Sequence, residues 1–144
     1  MSHVNVMLHF VWCTKNRLPL LTVNVKPAIL NHIRQNAKMK GIFIDTMEGH
    51  LDHIHALIGL SAEMSVSKVM LIKGESSFWI NRERLFPHLF EWAVDYFAGS
   101  VSPSSLERVR LYIRNQEHHH KKISFKDEYE QLKQHCNASH AAAR

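Results

Sequence analysis

Residues 41–48, GIFIDTME, and 51–60, LDHIHALIGL, both read as strands of alternating apolar and polar side chains, and only Gly49 and His50 separate them. So short a connection admits an antiparallel hairpin and excludes parallel neighbours, which need a crossover of a dozen residues or more. The rest of the chain has to be built around that hairpin.

Upstream, residues 3–13 (HVNVMLHFVWC) are rich in β-branched and aromatic types and predict a strand, which TKNRLPLLT ends with a polar turn and a proline. Ile29, Leu30, Ile33, Ala37 and Met39 then recur at helical spacing over 25–40, with Pro27 in the first turn and Gly41 as the stop. Downstream, residues 65–85 carry helical spacing behind a Ser65 cap, weakened at Gly74. PHLFEWAVDYFAGSVS (87–102) predicts a fourth strand or the two arms of a hairpin. Pro103 opens a helix through LERVRLYIRNQEHHHKK, and FKDEYEQLKQHC is a last helix. The order βαββαβ with appended helices predicts an α/β fold. It is an α+β sandwich of ferredoxin-like type, with helices on one face of an antiparallel sheet and an appended C-terminal helix.

A chain of 144 residues suits one domain, expected over 1–135, with 136–144 a frayed tail. Its 45% hydrophobic and 22% charged content excludes a disordered chain, and the net charge of +5 favours polyanionic partners. Cys13 and Cys136 lack any paired spacing, so reduced thiols are expected. The N-terminus lacks the pattern of a secretory leader, and no apolar run approaches the ~20 residues of a membrane span. The expectation is a cytoplasmic protein without membrane contact. The chain has no P-loop, so no nucleotide cofactor is expected.

Twelve histidines in a chain of this length give roughly one His-x-His pair by chance, and two occur, His53/His55 and His118/His120. Placement separates them. On a strand, residues i and i+2 share a face about 6.6 Å apart, close enough for two imidazoles to lean onto one cation. On a helix the same spacing diverges by about 200°, so His118 and His120 cannot converge. His53 and His55 are therefore candidate metal ligands, although two hydrogen-bonded histidines on a strand would carry the same spacing. On the predicted helix 106–122, Tyr112 and Gln116 stand i, i+4 and share one face, so that a phenol and an amide could address one point; a tyrosine between Leu111 and Ile113 is equally at home in a core.

HLDHIHALIGL and LYIRNQEHHHKK together resemble the histidine strand and the nucleophile helix of the single-tyrosine HUH (histidine-hydrophobic-histidine) transposases. These serve small insertion sequences, the IS200-like transposases, and include relatives associated with repetitive extragenic palindromes. HFVWCTKNRLPLL resembles that family's first strand and SVSKVMLIKGESSFWIN its second helix, so the likeness runs from about residue 5 to 130. Where members often carry Trp-Gln and a Gly-Tyr-Gly-like run, this chain keeps Trp92 and Tyr96 but departs at Ala93, Asp95, Phe97 and Gly99.

The resemblance implies that His53, His55 and Gln116 bind a divalent metal, Mg²⁺ or Mn²⁺, and that Tyr112 is the nucleophile. Asp52, which alternation points to the opposite face, would have a structural or supporting role. A cation relieves the charge repulsion that protects a phosphodiester from attack, and attack would yield a 5′-phosphotyrosine and a free 3′-OH. The implied substrate is single-stranded DNA with hairpins, and the implied assembly is a homodimer in which Tyr112 of one subunit serves His53 and His55 of the other. Candidate DNA-backbone contacts are Lys15, Arg17, Lys73, Arg82, Arg84, Arg114, Lys121 and Lys122, which would make affinity fall steeply with salt. Two competing readings use the same residues. One is a catalytically idle DNA-binding protein; the other is a zinc hydrolase, for which the strand's metal face offers no acidic general base.

Overall fold

The computed structural model describes residues 2–116 and 123–142. Its centre is a four-stranded antiparallel sheet of β1 (Met7–Cys13), β2 (Phe43–Gly49), β3 (His53–Gly59) and β4 (Phe97–Val101), in the order β2-β3-β1-β4. This is the strand order of the ferredoxin-like sandwich, with β1 and β2 parallel in direction and β3 inserted between them. The predicted hairpin is the β2–β3 pair. Its connection is His50–Asp52, and Gly49 is required there because a Cβ would lie 2.8 Å from the His53 carbonyl oxygen.

Two crossovers bury one face of the sheet. Helix α1 (Lys26–Met39) begins at a proline and stops at Gly41, whose φ of 73° is the left-handed conformation that terminates helices. It packs Ile29, Leu30, Ile33 and Ala37 onto Leu8, Phe10 and Trp12 of β1 and Ile54, Ala56 and Ile58 of β3. The predicted helix over 65–85 is two helices, α2 (Val66–Val69) and α3 (Leu71–Arg82), broken at Met70. The Ser65 cap is present, its hydroxyl accepting from the Lys68 N–H at 3.1 Å.

The fourth strand is much shorter than the expected 87–102. Phe90 and Trp92 are drawn into the core one at a time, Trp92 in an isolated bridge to Thr14, and side chains capture the backbone between. Asn81 pairs with both the N–H and C=O of Phe90, and the Lys73 ammonium donates to the Ala93 and Val94 carbonyls, each at 2.7 Å. With those groups engaged the segment cannot join a ladder.

The opposite face carries His9, Val11, His53, His55 and Leu57 and is covered by α4 (Leu106–Arg114) and α5 (Phe125–Ala142), so helices stand on both faces rather than one. Helix α4 is fixed to the sheet through a bulge. The β2–β3 register shifts between Ile44 and Thr46, and the Asp45 left over points its carboxylate at Arg110, which grips it at 2.9 and 2.8 Å. That pairing holds the Asp45 carboxyl below the usual aspartate range. No helix among the described residues is long and apolar enough to cross a membrane. We predict that Asp45→Ala speeds amide hydrogen exchange in α4 while leaving α1 and α3 as protected as in the parent protein.

Candidate metal and nucleophile site

The β1–β3 register sets Cys13 opposite His53, Val11 opposite His55 and Leu57 opposite His9. Period-two alternation then sends all three histidines to the α4/α5 face. His53 and His55 are wholly buried there, as expected of a pair sharing one face, and Gln116 and Glu128 are buried with them.

Each ring has one nitrogen held and one turned inward. Asp52 accepts from His53 Nδ1 at 2.7 Å, so the residue that alternation assigns to the other face reaches back to orient the first histidine. His55 Nδ1 lies 2.8 Å from His9 Nε2. The two Nε2 atoms converge on the C-terminal helices: His55 Nε2 is 2.9 Å and His53 Nε2 3.5 Å from Glu128 Oε1, and His53 Nε2 is 3.2 Å from Gln116 Oε1. A metal-binding histidine characteristically offers one nitrogen to the ion and has the other fixed by a carboxylate or another polar group.

One nitrogen from each of His53 and His55 and one oxygen from Glu128 all lie within 4.8 Å of one another, a span a single cation can bridge. Gln116, the third ligand the sequence suggests, stands at the edge of this group, and its amide nitrogen donates to the Tyr112 carbonyl at 3.1 Å. Imidazole with carboxylate and amide oxygen suits Mn²⁺ and Zn²⁺ as well as Mg²⁺.

Tyr112 reaches the same carboxylate from α4: its hydroxyl donates to Glu128 Oε2, and its ring lies 5.5 Å from that of His55 in an edge-to-face contact. Burial, followed by this hydrogen bond, raises the phenol well above the ordinary tyrosine range, so Tyr112 is protonated as it stands. Burial first and then His55 lower His9 to about 3, against an opposing pull from Glu128, so His9 is neutral at physiological pH. A neutral His9 can accept from His55 Nδ1–H and so leave His55 Nε2 a lone pair for a metal.

Glu128 and His9 are the residues the sequence reading misses. Glu128 falls on the buried stripe of α5 one turn from Phe125, and a carboxylate on such a stripe is the available signal. His9 is hidden in an apolar strand and becomes visible only through the register with β3.

The basic residues expected on DNA have diverse settings. Arg17 leans over the Phe125 ring at 5.6 Å, Lys15 pairs with Glu91 at 3.0 Å, and Arg82 pairs with Glu83 at 3.4 Å. Arg84 and Arg114 are exposed, Arg84 in the left-handed conformation at φ 52°. Lys73 spends two of its three N–H donors on the backbone of 93–94, a structural task the sequence does not show. Lys121, Lys122 and the His118/His120 pair lie outside the described residues.

A family model described as Transposase IS200 like matches residues 2–116. The chain belongs to that family. This transposase is similar to the ISDra2 transposase TnpA of Deinococcus radiodurans, at 28% identity over 119 residues, 75% of this chain and 81% of that protein. Among solved structures it resembles a candidate transposase from Deinococcus radiodurans R1, at 25% identity with a TM-score of 0.62, over 81% of this chain and 95% of that one. It shares its fold with a REP-associated tyrosine transposase bound to a REP hairpin, at 14% identity with a TM-score of 0.64, over 85% of this chain and 76% of that one. The matched residues stop at Gln116, so α5 and Glu128 lie beyond the part on which membership rests.

His9 gives a direct check on how the site is held. His9→Phe keeps an aromatic ring but removes the nitrogen facing His55, and supporting contacts of this kind are worth about 10–100-fold in metal affinity. Isothermal titration with Mn²⁺ should show a loss in that range while the far-ultraviolet circular dichroism is unchanged.

Proposed function

We propose that this transposase cleaves and rejoins single-stranded DNA through Tyr112, on ends that carry a folded hairpin, with a divalent metal held by His53, His55 and Glu128 and with Gln116 beside it. The observation that carries this reading is that the nucleophile and the histidine pair share one carboxylate: Glu128 Oε1 faces the histidines while Oε2 takes the Tyr112 hydroxyl. Four buried polar side chains add little to stability compared with apolar ones of the same volume, which favours a chemical reason for their presence.

The bound cation would neutralise the scissile phosphate and expose its phosphorus to attack. Tyr112 Oη forms the new bond to phosphorus as the bond to the 3′ oxygen breaks, giving a 5′-phosphotyrosine and a 3′-OH. The phenol proton passes along the existing hydrogen bond to Glu128 Oε2, and the departing 3′ oxygen takes its proton from solvent. Reversal with a different 3′-OH rejoins the strand and conserves the phosphodiester. No nucleotide hydrolysis is needed. Burial closes the site as it stands, and an entering phosphate has to open it while the Tyr112–Glu128 hydrogen bond persists.

The zinc-hydrolase reading gains from Glu128 the acidic group it otherwise lacks, but transposase membership and the placement of Tyr112 favour transfer to a tyrosine. A two-fold dimer belongs to the proposed reading. Tyr112 stands beside its own His55, so attack within one subunit is the alternative to attack across the dimer.

Intact-protein mass after incubation with hairpin-bearing single-stranded oligonucleotides and Mn²⁺ should show a covalent adduct, absent from Tyr112→Phe and at least 100-fold reduced in His55→Ala. DNA binding without any adduct would favour the idle binder, and hydrolysis without an adduct would favour the metal hydrolase. A mixture of the two variants regains adduct only if Tyr112 serves the partner's histidines.

A further inference from the structure

Beside the metal site, where β1 ends and β4 begins, lies a cleft of about 820 Å³ between α5 and the segments 14–17 and 93–96. Phe125 is its boundary with the chemistry, since it lines the cleft and stacks on the His53 ring at 4.2 Å. Arg17 and Lys133 stand along the same cleft, Lys133 over the Tyr129 ring at 5.6 Å. Tyr96 and Tyr129 are half-buried in its walls, and Asp95 is exposed on the same lining. Trp12, almost wholly buried, also lines the cleft, and its indole N–H has no hydrogen-bond partner among the described residues.

Aromatic faces with flanking cations form the usual platform for an unpaired nucleotide, the rings stacking on the base and the cations meeting phosphate. The volume suits one nucleotide with space for part of a second. A carboxylate in such a cleft is out of place for polyanion binding alone. It repels phosphate, but it accepts a hydrogen bond from an exocyclic amine, as acidic side chains do from cytosine N4. Thymine presents a carbonyl at that position and would meet the carboxylate lone pair to lone pair.

Resting on the DNA-cleaving reading, we propose that this cleft holds an unpaired base next to the scissile phosphate and that Asp95 selects a base with an exocyclic amine, cytosine over thymine. Tyr129 and Tyr96 supply the stacking surface once Lys133 swings off the Tyr129 ring, Arg17 and Lys133 hold the flanking phosphates, and Phe125 sets where the strand turns from the cleft to His53. Asp95 is then a specificity determinant contributed by a position at which the chain departs from its family's usual pattern.

The test is fluorescence anisotropy of the full-length protein with labelled dC₁₂ and dT₁₂ at pH 8 in one salt. Two pyrimidines of similar size isolate the amine. dC₁₂ should bind about tenfold more tightly than dT₁₂, within the range one well-placed base contact provides. Asp95→Asn, whose amide both donates and accepts, should bring the two within twofold by improving dT₁₂, and Tyr129→Ala should weaken both at least tenfold. Equal binding of dC₁₂ and dT₁₂ by the parent protein, or a preference that survives Asp95→Asn, overturns the proposal and leaves the DNA-cleaving reading standing. Binding of neither strand overturns the proposal, and a lack of the covalent adduct would then remove the reading beneath it.

Discussion

The register between β1 and β3 is the constraint on which the rest depends. A slip of one residue would turn His53 and His55 into the apolar layer under α1 and send Ile54 and Ala56 to the opposite face. Both outcomes are costly, because imidazoles in an apolar layer lose several kcal/mol of hydration, and apolar side chains set against Gln116 and Glu128 leave those buried polar groups without their histidine partners. The large side chains of β1, Phe10 and Trp12, fix the register from the α1 side. The polar face follows from it: His9 meets His55 only because Leu57 is its partner across the ladder.

A sheet face that carries three buried histidines must be covered by elements that bring hydrogen-bonding groups of their own. Helix α4 brings Tyr112 and leads to Gln116, with its position set by Arg110 on the bulged Asp45. Helix α5 brings Glu128, and Phe125 to close over His53. The C-terminal helices are thus part of the site as well as its lid. The Tyr112 phenol is held by the same carboxylate that meets the histidines, which couples the state of that phenol to whatever the histidines bind.

Much of this was legible in the sequence. The hairpin followed from its short connection, the α1 boundaries from Pro27 and Gly41, and the shared face of His53 and His55 from strand periodicity. What was not legible depended on contacts distant in sequence. The fourth strand shrank to Phe97–Val101 because Asn81 and Lys73 capture the backbone before it, and nothing local to 87–96 announces those captures. The long helix over 65–85 broke at Met70 although its apolar spacing runs on. Glu128 went unnoticed because a glutamate in FKDEYEQ reads as a solvated charge until the helix is set against the histidine strand. Lys73, expected on DNA, also holds two backbone carbonyls, a task that its local sequence does not show.

The histidine cluster is either a metal centre or a set of mutually hydrogen-bonded buried side chains. Pulsed electron paramagnetic resonance of the protein with Mn²⁺ answers this most directly, because imidazole nitrogens bound to the ion modulate the spin echo. The account predicts couplings from two imidazoles in the parent protein and from one in His53→Ala or His55→Ala. A Mn²⁺ signal with water protons alone, and no nitrogen coupling at saturating metal, would contradict it.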